Sequence, residues 1–265
     1  MNKIVLDGEK LVSNVDSSIN CNYSTNSINN LNTLIIDVLS DSDLSLCYNF
    51  LEFTKLEVII NVKFGVKLNV YEILSGSDSK IRVSYFLDES ACANVYKFND
   101  IDAVFEYVIV YLNGRYSSIN YNFKTIACNK EKYDFLIYHN SSDTTSSLYN
   151  GGVNINDGNI FMNVSSFVKN GNKNCNVCQN NRIINLTDNE CVIKPNLYID
   201  EYDTSANHSA LIGGFDSDCL FYLMSRGIDR DSSIKLLIKG FLTDRFECNQ
   251  EFSKKIEDII FKYWR

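Results

Sequence analysis

The sequence predicts a mainly β body followed by a short helical tail. Three observations carry this. From Lys55 to about Phe167, apolar residues recur in short alternating runs rich in β-branched and aromatic side chains. No helix-period segment separates those runs, which disfavours a doubly wound α/β fold, whose parallel sheet needs helical crossovers. After residue 215 the period becomes that of amphipathic helices. A sandwich, a barrel and a stacked β-solenoid all satisfy the β part, and no fixed repeat separates them.

Taken in order, residues 1–50 give weak strand signals at Leu34–Leu39 and Leu44–Leu51 and read as a short N-terminal segment. The stretch Leu56–Phe64 alternates, and so does Val66–Tyr71. Ile81–Leu87, Val104–Leu112, Ser118–Ile126 and Phe135–His139 follow as strands, each bounded by Asn, Asp, Ser or Gly. The chain has 12 Gly and one Pro, Pro195, so Asn, Asp and Ser do the turn work. In the tail, Asp216 caps a helix through Leu220, Phe221, Leu223 and Met224 that stops at Gly227. Asp229 or Asp231 opens a second helix, where Ile234, Leu237, Ile238, Phe241 and Leu242 form one apolar stripe. Asn249 caps a third, with Phe252, Ile256, Ile259, Ile260 and Tyr263 on one face. Such stripes either pack on the β body or face a partner.

Charge and length exclude several function classes. With 25 Lys+Arg against 33 Asp+Glu the chain carries a formal −8, which argues against a nucleic-acid backbone as its main partner. No apolar run approaches the roughly 20 residues that span a bilayer, so no membrane partner is expected. Met1–Asp7 lacks a signal-type apolar region, and a cytoplasmic location is expected. No phosphate loop of the G-x-x-x-x-G-K-[ST] type is present, so any ATP use belongs to a partner. A solenoid-groove polysaccharide lyase or hydrolase would need charged clusters repeated along one face, and the sequence shows none.

Nine cysteines, an odd number, preclude complete internal pairing. In a reducing compartment they are thiols, buried or chemically active. Cys175 and Cys178 form the one C-x-x-C, without the second pair or nearby His that a zinc site needs. If their strand is regular, the two thiols point to opposite faces and cannot chelate one ion. Cys128, Cys191, Cys219 and Cys248 read as structural, the last two between tail helices. Of the two histidines, His139 reads as a surface residue at a strand end, and His208 lies in an Asn- and Ser-rich stretch.

The stretch Ser205–Leu242, SANHSALIGGFDSDCLFYLMSRGIDRDSSIKLLIKGFL, resembles the C-terminal signature of the SufB/SufD family of iron–sulfur cluster assembly proteins. His208, Gly213, Asp216, Leu220, Phe221, Tyr222, Leu223, Ser225, Arg226, Gly227, Ile228 and Phe241 fall on that pattern. Upstream, Gln179, Asn181, Arg182, Leu186 and Asp188, then Lys194, Pro195, Leu197 and Ile199, match the segments that precede it. The resemblance covers about residues 150–245. It implies a right-handed parallel β-helix, with residues 51–212 as its core and 213–265 as a C-terminal helical domain. It also implies two partners: the ATPase SufC, held through the tail, and a second SufB/SufD-type subunit paired with the body.

The resemblance further implies a non-enzymatic, SufD-like scaffold subunit. The SufB-type cysteine falls at Asn180 and the SufB-type glutamate at Ser209, so both are missing, and the usual SufD cysteine position holds Ala206. The alternative is a minimal SufB-like homodimer that itself ligates the nascent cluster. In the family the histidine at 208 lies where a cluster is proposed to form, which makes His208 the candidate iron ligand. Cys178, two residues before the missing cysteine and on the same strand face, is its candidate thiolate companion. Arg226, Ile234, Leu237, Ile238 and Phe241 are the candidate SufC contacts. Iron, persulfide, a transient iron–sulfur cluster and a flavin all stay open as what is carried.

Overall fold

The computed structural model describes residues 1–26, 31–246 and 249–263, so Cys248 lies outside the described residues. Among the described residues, seventeen strands form two sheets. The nine-stranded sheet contains β1 (Asn2–Asp7), β2 (Lys10–Asn14), β5 (Ser42–Phe50), β7 (Lys67–Gly76), β9 (Cys92–Ile101), β11 (Ser118–Ala127), β13 (Thr145–Asn154), β15 (Cys175–Asn185) and β17 (Thr204–Gly213). The eight-stranded sheet contains β3 (Ile19–Asn26), β4 (Leu31–Val38), β6 (Thr54–Val62), β8 (Ser79–Leu87), β10 (Val104–Leu112), β12 (Lys130–His139), β14 (Asn159–Val168) and β16 (Val192–Ile199). From β4 onward the chain alternates between the sheets, and each strand pairs in parallel with the strand two ahead. The fold is a parallel β-solenoid.

Each coil must turn twice, and many turns use a left-handed residue. Gly65, Ser90, Tyr116, Asp143 and Asn174 have positive φ at successive coils along one edge. The amides of Gly65, Ser90, Asp143 and Asn174 each bond a carbonyl of the next coil, at 2.9, 2.8, 2.8 and 2.6 Å. Short polar side chains tolerate this conformation, so a solenoid is built here with few glycines.

The interior is filled by the inward residues of both sheets, among them Leu46, Val70, Val95, Tyr121, Val83, Val108 and Phe135. Outside the eight-stranded sheet, Phe86, Tyr111, Tyr138, Phe167 and Tyr198 stack coil on coil with ring centroids 4.7, 5.3, 4.8 and 4.8 Å apart. The interior also holds charge. Lys97 lies between Glu72, at 2.6 Å, and Glu106, all three sealed from solvent. Such a trio is held only because each charge meets an opposite one.

The solenoid's two ends differ. At the N-terminal end both sheets close with an antiparallel pair, β1 with β2 and β3 with β4. The described strands of residues 1–50, expected as a short N-terminal segment, belong to the same two sheets, and β1 pairs in parallel with β5. At the other end β16 and β17 are the last strands of their sheets.

The tail forms three helices with the expected caps. In α1 (Ser217–Ser225) Asp216 accepts from the Asp218 amide, and Arg226 with Gly227 in left-handed backbone ends the helix. In α2 (Arg230–Thr243) Asp229 accepts from Ser232, and in α3 (Gln250–Lys262) Asn249 accepts from Phe252. Each such cap is worth about 1 kcal/mol. Helices α2 and α3 fold back over the outer face of the nine-stranded sheet. Ile238, Leu242, Phe252, Ile256 and Ile260 pack there against Tyr71, Ile73, Phe98, Ile126, Val153 and Ile184. Tyr263 at the tip of α3 bonds Asp100 on the body.

Candidate functional site

The site builds from strand parity. Adjacent residues of a strand leave opposite faces of the sheet. On β15 the inward side is fixed by Gln179, whose amide nitrogen reaches across the interior to Ser166 Oγ at 2.8 Å and to the carbonyl of Asn196 at 3.2 Å. His208 on β17 stands in register with Gln179. It therefore continues the inward row Tyr121–Leu148–Gln179 by one more rung. No coil lies above it, so His208 is solvent-exposed although its strand position is an interior one.

Cys178 is one residue off that row. It stands in register with Asn207 and leaves the outer face of the sheet, half-buried. Within one chain His208 and Cys178 are thus brought to adjoining strands but to opposite faces, and they do not converge on one ion. Cys178 and Asn180 do share a face, as their spacing predicts. Cys175 points inward and is buried, its thiol 3.2 Å from Thr144 Oγ1, so the two thiols of the C-x-x-C face opposite ways. Burial pushes the half-buried Cys128 and Cys191 thiols up, away from thiolate character, while Cys219 is exposed on α1. Among the described residues no group of three His, Cys, Asp or Glu side chains converges as a metal cage.

The edge that carries His208 has unusual chemistry. The ten residues of β17 include no lysine, arginine or carboxylate, and most are exposed. An uncharged exposed edge of that length offers a full row of amide and carbonyl groups to another strand. The neighbouring edge, β16, carries Lys194 and Pro195, and proline has no amide to donate. One sheet edge at this end is open to pairing and the other is blunted.

The tail corrects an expectation. Ile238 is fully buried, Ile234 packs on the same cluster, and Leu237 is half-buried. The Phe241 ring is covered by Lys124 Nζ at 4.1 Å and Arg182 at 5.5 Å from the body. The stripe of α2 therefore faces the solenoid rather than a partner. What the tail leaves exposed is α1, which buries no residue: Phe221 is 73% exposed, Tyr222 56% and Met224 43%. Leu236 of α2 and Phe261 of α3 are also exposed. Arg226 remains exposed beside them, its guanidinium 5.2 Å from the Tyr222 ring. The sequence marks α1 as a capped helix rich in apolar residues, but nothing in it says that they stay uncovered.

His139 is not a surface residue. It ends β12 inside the solenoid, 1% exposed, with Nδ1 2.8 Å from Thr144 Oγ1 and Nε2 2.9 Å from Ser146 Oγ. Burial drops its pKa to about 4, so it is neutral and both nitrogens are occupied.

Comparison with known proteins bears on this arrangement. A family model described as "SUF system FeS cluster assembly, SufBD core domain" matches residues 30–241. The iron–sulfur cluster assembly protein SufD of Bacillus subtilis (strain 168) is 30% identical over 125 residues. That match covers 46% of this chain and 26% of the relative, so the chain aligns with about a quarter of that protein's length. No described helix is long and apolar enough to cross a membrane.

Proposed function

The chain belongs to the SufBD core family of the SUF iron–sulfur cluster assembly system, and from that premise we propose that it is a SufD-like, non-enzymatic scaffold subunit working in the cytoplasm. The body pairs through β17 with a second SufB/SufD-type subunit. The open, uncharged edge at β17 is the observation that carries this reading, because an edge of that kind is covered in a working protein. Pairing there encloses His208 at the junction, where its imidazole serves as one iron ligand of the nascent cluster, the complex's cargo. A single imidazole holds iron weakly, and Cys178 leaves the far face of the sheet, so the thiolate at this junction comes from the partner subunit. This parity favours the SufD-like reading over a minimal SufB-like homodimer.

The ATPase SufC docks on the tail through the exposed face of α1, with Phe221, Tyr222 and Arg226 at its centre. Aromatic residues and arginine are the side chains most often dominant in interfaces, and here they are uncovered. Anaerobic reconstitution with SufC and a SufB-type subunit, followed by iron and sulfide analysis, tests the whole. His208→Ala is expected to abolish loading, and Cys178→Ser to leave it intact. Full loading with His208→Ala removes the histidine's role. Loss with Cys178→Ser returns the homodimeric reading.

A further inference from the structure

Gln179 has one polar atom too many for its surroundings. Its Nε2 donates to Ser166 Oγ and to the backbone carbonyl of Asn196. A backbone carbonyl can only accept, so the amide's orientation is fixed by its own partners. That leaves Oε1 buried and without a partner among the described residues, in a side chain 1% exposed. A sealed carbonyl with no donor is costly, and it calls for one. The side chain on the next rung is His208, in register and on the same face of the sheet, one strand spacing away.

We infer that Gln179 is the positioning residue for His208: its Oε1 accepts an imidazole N–H, which fixes the ring's tautomer and turns the other nitrogen's lone pair toward the open end. This rests on the reading of His208 as an iron ligand. Side-chain bonds between successive rungs are already made in this sheet, by Asn150 to Asn181 and Asn154 to Asn185, both at 2.9 Å. The bond from His208 is not formed in the structure, where the exposed ring has no coil above it. The proposed bond requires that side chain to rotate toward Gln179. Neutral imidazole has one donor and one acceptor, and a ligating histidine presents its lone pair reliably only when the other nitrogen is held. His139 shows the contrast, since both its nitrogens are occupied by hydroxyls and neither is available to a metal.

The chain has two histidines, so its imidazole nitrogen spectrum is simple. The test is nitrogen-15 NMR of the full chain labelled at histidine, at about pH 8, above the ordinary imidazole range. His208 is expected to show one protonated and one bare nitrogen, a single tautomer. Gln179→Leu should merge them into an averaged pair, while Ser166→Ala, which leaves Oε1 in place, should not. Cobalt(II) affinity at His208, read by its visible absorption, should fall about tenfold or more with Gln179→Leu. An averaged His208 spectrum in the unaltered chain overturns the inference, with no need for any variant to fold. So does an unchanged tautomer in a folded Gln179→Leu chain. A single tautomer that depends on Gln179, together with full cluster loading of His208→Ala, upholds the positioning and overturns the ligand reading instead.

Discussion

Replacing Glu131 by glutamine should stabilise the chain increasingly as pH rises. Glu131 is fully buried, and its Oε2 accepts from Thr125 Oγ1 at 2.7 Å and Tyr133 OH at 2.9 Å. Its Oε1 has no partner among the described residues, and the buried ammonium of Lys97 is taken by Glu72 and Glu106. Burial therefore pushes its carboxyl up to about 8, from 4.5 in the unfolded chain. A raised carboxyl means that the folded chain holds a proton the unfolded chain has lost. The stability this group supports is complete below 4.5 and declines as pH rises toward 8. At about 1.4 kcal/mol per pH unit the whole window is worth about 5 kcal/mol, and the part below pH 7 about 3 kcal/mol. The glutamine side chain does not titrate. It would bury an amide NH2 with no acceptor, at a pH-independent cost of about 1–3 kcal/mol, so the slope is the informative quantity. Urea unfolding of the unaltered and Glu131→Gln chains at about pH 5, 7 and 8.5 gives the difference in stability at each. A difference that widens in favour of the glutamine chain by several kcal/mol supports the reasoning. A constant difference across that range refutes it, because Glu131 would then be ionised at no cost in the fold.

His139 works in the opposite direction. Its pKa drops from 6.5 to about 4 on folding, so stability should fall as pH drops through that window by about 3 kcal/mol, and His139→Gln should flatten this acid limb in urea titrations. Ile238→Ala removes a fully buried side chain between α2 and the sheet and should cost about 2–5 kcal/mol, appearing first as faster proteolytic release of the tail. Phe221→Ser with Tyr222→Ser, on a helix that buries nothing, should leave thermal stability within about 0.5 kcal/mol while lowering SufC capture at least tenfold. Unchanged capture would move SufC to another surface.

The helical tail was legible because its signals are local. Asp216, Asp229 and Asn249 are capping residues, and each sits one residue before the helix that carries the apolar pattern. The solenoid was not readable as a repeat because its coils lengthen. Thr54 lies beside Ser79, 25 residues on, whereas Thr145 lies beside Asn176, 31 residues on. Strands such as β13 were hidden by polar residues at inward positions, Asn150 and Asn154, which stack as amide ladders with β15 instead of forming an apolar alternation. His139 read as a surface residue because Asn140 and Ser141 follow it, yet the strand carries it inside before the chain turns. The candidate site was half legible. His208 came from a motif, but its pairing with Cys178 depended on register between two strands, and one sequence does not encode which residue of β17 meets which residue of β15. A shift of one residue reverses the face of every side chain on the strand.

The unlike ends of the solenoid set the arithmetic of assembly. A β-solenoid with two raw ends can stack head to tail without limit, as cross-β fibres do. Here the N-terminal end finishes in antiparallel pairs in both sheets, so the parallel coil repeat stops there. At the other end β17 is an uncharged, largely exposed edge strand. Joining two such edges uses up both. Under the proposed pairing, a partner like this chain would make the interface isologous. Deleting the strand Lys10–Asn14 would leave β1, which pairs in parallel with β5, as the terminal strand of the nine-stranded sheet, and would replace its antiparallel finish with a parallel one.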